Sequence, residues 1–196
     1  MEPKKGTSSI PACNMLTAII IFAQIPILSG QLDASGAIYA LPWTFAAWPV
    51  LLICAVIMFK NGDFIDATLN TALGGALMGQ NMMKGLITLL FFLSDKAIPA
   101  ELLAARYAID KWAYLICGLI LLFSAWMAHF QSKLATFCIC AGSIGFLSLA
   151  AMFAGFGRPW GLIGLIGLVV LGICRLYFGL AMMFNTAVQK KVFPTP

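Results

Sequence analysis

Six segments of this chain, 11–32, 40–59, 69–93, 112–129, 134–156 and 161–184, are apolar over the length that carries a helix across the hydrocarbon of a bilayer, about 17–25 residues. Barrel strands would be half as long and would alternate in polarity. The pattern therefore predicts an all-α, polytopic membrane protein with six transmembrane helices. Composition agrees, because hydrophobic residues make up 62% of the 196 and charged residues 10%, a balance that would coat a soluble fold in apolar surface. The expected organisation is a cytoplasmic tail over 1–10, a membrane domain over 11–184 and a second cytoplasmic tail over 185–196. No separate extramembrane domain fits in that length, so function must lie among the helices.

The formal net charge of +5 comes from scattered basic residues. No basic cluster stands beside aromatic residues in a polar segment, which excludes nucleic acid as a partner. The six cysteines, Cys13, Cys54, Cys117, Cys138, Cys140 and Cys174, fall inside the apolar segments and read as small packing residues. Cys138 and Cys140 point to different faces of a helix, so no metal site is expected. His129 stands alone at a helix end, and no combination of His, Cys, Ser and acid suggests a nucleophile. Neither an enzyme nor a cofactor is expected. The first segment is too long for a signal-peptide core and reads as a retained helix.

Six spans place both termini on one side. That side carries Lys4, Lys5, Lys60, Lys133, Lys190 and Lys191, and the other carries Lys96, Arg106, Lys111 and Arg158. The bias orients both termini to the cytoplasm of a cell-membrane protein. The connections are short except the third, 94–111, where residues 100–106 have the spacing of a short amphipathic helix lying at the interface, or of a packed loop. No internal repeat supports an inverted-repeat architecture.

Helices in lipid associate through small residues and internal hydrogen bonds, so those residues mark interior faces. At about 100° per residue, Leu73, Leu77, Gln80 and Lys84 share one stripe of the third segment, with Asn70 and Asn81 at its margin. Gly75 and Gly79 lie nearly opposite. On the sixth segment Gly161, Gly164, Leu168, Gly172, Arg175 and Gly179 share a face, and on the fifth Ala141, Gly145 and Ser148 do. Such stripes serve either tight packing or a groove that holds solute or water. Lys84 and Arg175 bear on that choice, because a cation near mid-membrane costs at least about 2.5 kcal/mol and faces a partner or a wet cavity. No Asp or Glu lies inside any of the six segments. The two cations therefore either snorkel to headgroups or line an anion path, with Gln80 beside Lys84.

The order of these features resembles the acetate uptake transporter family, from about Pro11 to Pro194. Lys60-Asn61-Gly62 with Thr68, Thr71 and Gly74 is similar to that family's Lys-Gly turn and polar third helix. Tyr114-Leu115 with Gly118, Phe146-Leu147 through Ala154-Gly155, and Gly161 to Tyr177 with a Val192-Phe193-Pro194 exit resemble its later helices. The signature before the first helix survives as Pro11, Ala12 and Leu16, without its leading asparagine or its glycine. In the second helix, Ala47-Trp48 and Leu51 replace a glycine pair and a glutamine. This is the pattern of a divergent member.

The resemblance implies a homohexamer with one pore per subunit. It places the apolar constriction at Ile19, Leu73 and Ala141, all smaller than the family's usual residues. The expected function is a channel-like transporter for acetate or other small carboxylates such as succinate, passive or proton-linked. In it Gln80, Lys84 and Arg175 contact the anion. Two alternatives stay open: a neutral-solute channel of the urea or amide type, and a non-transporting subunit that packs against a partner protein.

Overall fold

A computed structural model describes residues 8–32, 36–130 and 132–195. Among them the chain forms six helices long and apolar enough to cross a membrane: α1 (Ile10–Leu28), α2 (Gly36–Asn61), α3 (Phe64–Leu93), α4 (Ala100–Ala128), α5 (Lys133–Phe156) and α6 (Arg158–Ala187). It is a multi-pass membrane protein, and the described residues contain no strand.

Local chemistry sets the ends of these helices. Pro11 and Pro159 occupy the first turns of α1 and α6, where a missing N–H leaves no gap in the helical ladder. Ser132 caps α5, its hydroxyl accepting from Ala135 N at 3.3 Å. Gly155 and Gly157 have φ of +93° and +99°, values that L side chains resist, and there the chain turns from α5 into α6. Within the apolar spans, Thr17, Thr71, Thr88 and Ser124 each donate to a carbonyl four residues back. Their hydroxyls are thereby satisfied without water.

Every pair of consecutive helices except α3 and α4 packs together, and α1 packs against both α2 and α6. Glycines permit the closest approaches. A Cβ on Gly167 would lie 2.7 Å from both Ala141 O and Gly145 N of α5, and one on Gly179 would lie 2.9 Å from Pro11 O of α1. Gly75 and Gly79 of α3 receive Leu52 and Trp48 of α2, so the glycine face of α3 packs as its spacing implies. Among consecutive helices, the seam without close backbone contact runs between α3 and α4. Towards the termini, it is an open apolar groove of about 680 Å³ bounded by Phe64, Thr68, Ile116 and Phe123.

Two expectations are corrected by this architecture. Residues 100–106 are not an interfacial helix: they are the first turns of α4, which runs unbroken from Ala100. The span therefore begins earlier than 112 and contains Asp110, an acid inside a membrane helix. The glycine face of α6 is not an open groove either. Met152, Leu149, Phe22 and Met15 fill it opposite Gly161, Gly164, Gly172 and Gly179. The segment after α6 folds back, with Asn185 accepting from Val192 N and Phe193 N, and Tyr177 Oη donating to Pro194 O.

Candidate functional site

Two partly enclosed cavities lie inside the bundle. The near chamber, on the side of the termini, has a volume of about 70 Å³ and is bounded by Thr17, Asn70, Leu73, Leu121 and Arg175. The far chamber, about 110 Å³, is bounded by Gln24, Asn81, Arg106, Tyr114 and Phe153. Both exceed several-fold the volume one water needs. Along α1 the lining runs from Thr17 in the near chamber to Gln24 and Leu28 in the far one. Along α3 it runs from Asn70 to Asn81, and α4 and α6 follow the same order in their own directions. The chambers are thus stacked along the bundle axis. Ile21, Leu77, Met78 and Phe146 line both and form an apolar neck between them.

Beside the far chamber, which Arg106 lines, a charged network bridges the α3–α4 seam. Asp110, 1% exposed, accepts from Lys84 Nζ at 2.7 Å on Oδ2 and from the Gln80 amide on Oδ1. The Lys84 side chain is 13% exposed. A buried ion pair holds only when its remaining lone pairs are also met, and Gln80 meets them. Arg106, one turn before Asp110, brings Nε to 3.5 Å from Oδ2 without a hydrogen bond. Lys84 Nζ lies 5.8 Å from the centroid of the Tyr114 ring, Tyr114 stacks between Phe146 and Phe153, and Tyr107 stacks on Phe153.

The near chamber has a different chemistry. Arg175 donates from Nη1 to Asn14 Oδ1 at 2.7 Å, and its buried Nε has no partner among the described residues. Asp66 lies close enough to feel the charge, yet no carboxylate comes within ion-pair distance of Arg175 among the described residues. Asn70 spends its amide on Asp66 O at 2.7 Å and on the Met58 sulfur.

The residues singled out from sequence fall into three groups. Leu73 and Arg175 line the near chamber. Lys84 and Gln80 face inward but are engaged by Asp110. Ile19 lies on the outer face, 44% exposed, and lines neither chamber. Ala141 sits in the α5–α6 contact opposite Gly167. In their place, Ile21, Leu77, Met78 and Phe146 form the narrow part. Of the signature residues, Pro11 starts α1, Ala12 is exposed, and Leu16 packs beside Cys13 and Ile20. Sequence reasoning missed Asp110 and Arg106, although their spacing of four marks one helix face that continues backward from the apolar run.

No family model and no curated protein matches the chain. Among solved structures, it is similar to the bacterial acetate channel SatP, with a TM-score of 0.71 and 18% sequence identity. The match covers 97% of this chain and 99% of that one. The six-helix fold is therefore that of the acetate channel over almost its whole length.

Proposed function

We propose that this protein is a channel-like membrane transporter for small carboxylates, acetate first and succinate as a further candidate. Its path runs through the two stacked chambers. The observation that carries the reading is the placement of one arginine in each chamber, on either side of an apolar neck, in a bundle with the fold of an acetate channel. A guanidinium with an unused donor attracts a carboxylate, and an apolar neck excludes hydrated inorganic ions. The neck offers no charged side chain, so a carboxylate crosses it most easily with its proton alongside or as the neutral acid. Passive and proton-linked modes both fit that geometry. The assembly in this reading is a homohexamer with a path in each subunit, seated in the cell membrane with both termini in the cytoplasm.

The test is uptake of radiolabelled acetate, succinate and urea into proteoliposomes containing the purified protein. Acetate uptake above protein-free vesicles is expected. Uptake of urea alone would replace the reading with a neutral-solute channel. No uptake from a folded oligomer would point to a subunit that works with a partner protein.

A further inference from the structure

Lys84 stands beside the far chamber, its Nζ 5.8 Å from the ring centroid of the lining residue Tyr114, and its position on the polar stripe of α3 makes it the natural anion contact. Its ammonium is already committed to Asp110 at 2.7 Å, and Gln80 occupies the other carboxylate oxygen. Lys84 and Asp110 cancel in charge. Arg106 is the excess: its Nε approaches Asp110 Oδ2 only to 3.5 Å, makes no hydrogen bond among the described residues, and its side chain is 34% exposed. It lines the cavity together with the amides of Gln24 and Asn81.

We infer that Arg106, not Lys84, binds the carboxylate group in the far chamber, and that the chamber is built for a monovalent carboxylate with a short alkyl group. The ligand class rests on the transport reading above. A guanidinium presents donors in a fork that matches a carboxylate, which an ammonium does not. The aromatic wall of Tyr114, Phe146 and Phe153 gives the alkyl end an apolar seat. One excess positive charge neutralises one carboxylate, and a second carboxylate would be pressed against that wall, where the nearby cation Lys84, 5.8 Å from the Tyr114 ring centroid, is already held by Asp110. The Lys84–Asp110 pair is the fixed partition behind Arg106: Asp110 holds the ammonium away from the solute.

The experiment measures binding of ¹³C-acetate and of succinate to the detergent-purified protein by saturation-transfer NMR. It compares the wild type with Arg106→Gln, Arg106→Lys and the charge-neutral double variant Lys84→Met/Asp110→Asn. Size exclusion confirms that each is folded. Arg106 makes no hydrogen bond among the described residues, and the Asp110 carboxylate it approaches at 3.5 Å is already met by Lys84 and Gln80, so its variants should fold. Acetate binding is expected to weaken about tenfold or more in Arg106→Gln, to weaken less in Arg106→Lys, and to stay close to wild type in the double variant. Succinate should bind the wild type more weakly than acetate. Acetate binding untouched by Arg106→Gln would overturn the assignment, as would its loss only in the double variant. Succinate binding as tight as acetate would overturn the monovalent part. Acetate bound by the wild type but not carried into proteoliposomes would remove the transport reading and leave Arg106 standing. No binding of acetate at all would remove both.

Discussion

The two chambers hold their cations in opposite ways. Beside the far chamber, a lysine is locked to a buried carboxylate, a glutamine completes that carboxylate, and the lining arginine approaches it at 3.5 Å without a hydrogen bond. In the near chamber, a single arginine leans on the neutral amide of Asn14. Burying a charge beside an opposite charge and burying it beside a dipole have different consequences. The pair is internally neutral and can close a seam. The lone guanidinium keeps its field and calls for a mobile anion. In the proposed transport path, one end is thus built as structure with a binding group attached, and the other as a site with less structural role.

The sharpest way to break that contrast is to remove the acid. Asp110→Asn keeps the shape but leaves Lys84 buried without a counter-charge, a loss of about 3–5 kcal/mol. The α3–α4 seam, where backbones stay apart, would lose its polar tie. A marked fall in thermal stability in detergent is expected, with most of it restored in Lys84→Met/Asp110→Asn. A single variant as stable as the wild type would mean that the pair does not close the seam.

The corresponding change in the near chamber is Asn14→Leu. It deletes the acceptor of Arg175 and should cost about 1.5–3 kcal/mol, the range for a hydrogen bond to a charged group. The guanidinium can still turn towards the cavity, where water or an anion satisfies it. A penalty as large as that of Asp110→Asn would show that Arg175 is also structural, and would erase the distinction between the chambers.

The sequence made the fold legible because lipid imposes a single rule, that each span satisfies its own backbone and shows apolar residues outward. The glycine spacing of α3 was readable for a similar reason, since only one face could let Trp48 and Leu52 approach. The site was half legible. Leu73 and Arg175 face the near chamber, but Arg106 and Asp110 were hidden, because a run with charges in it falls below the hydropathy of a span even when those charges neutralise one another inside the bundle. Ile19 lies outside both chambers for a geometric reason: its neighbour Ile20 is fully buried and Ile21 lines both chambers, and an offset of two residues on a helix points a side chain to the opposite face.

A smaller change probes whether the neck belongs to either chamber. Residues Asn70–Gly75 of α3 form a π-helical turn, a widened stretch in which the usual carbonyl partners shift. The Trp48 indole N–H donates to Gly75 O at 2.9 Å from α2. Leu77 and Met78, two of the neck residues, follow directly. Trp48→Phe removes the bond while keeping an aromatic ring against Gly79, so the expected loss of stability is only about 0.5–1.5 kcal/mol. Its effect on transport should be larger than its effect on folding, because a π-helical turn that relaxes to α-helix rotates every side chain after it. Acetate uptake by this variant should therefore change while its unfolding temperature moves by a few degrees. Uptake that stays at the wild-type rate would assign the position of the neck to the Lys84–Asp110 tie further along the same helix, making the far chamber the element that sets both the seam and the passage.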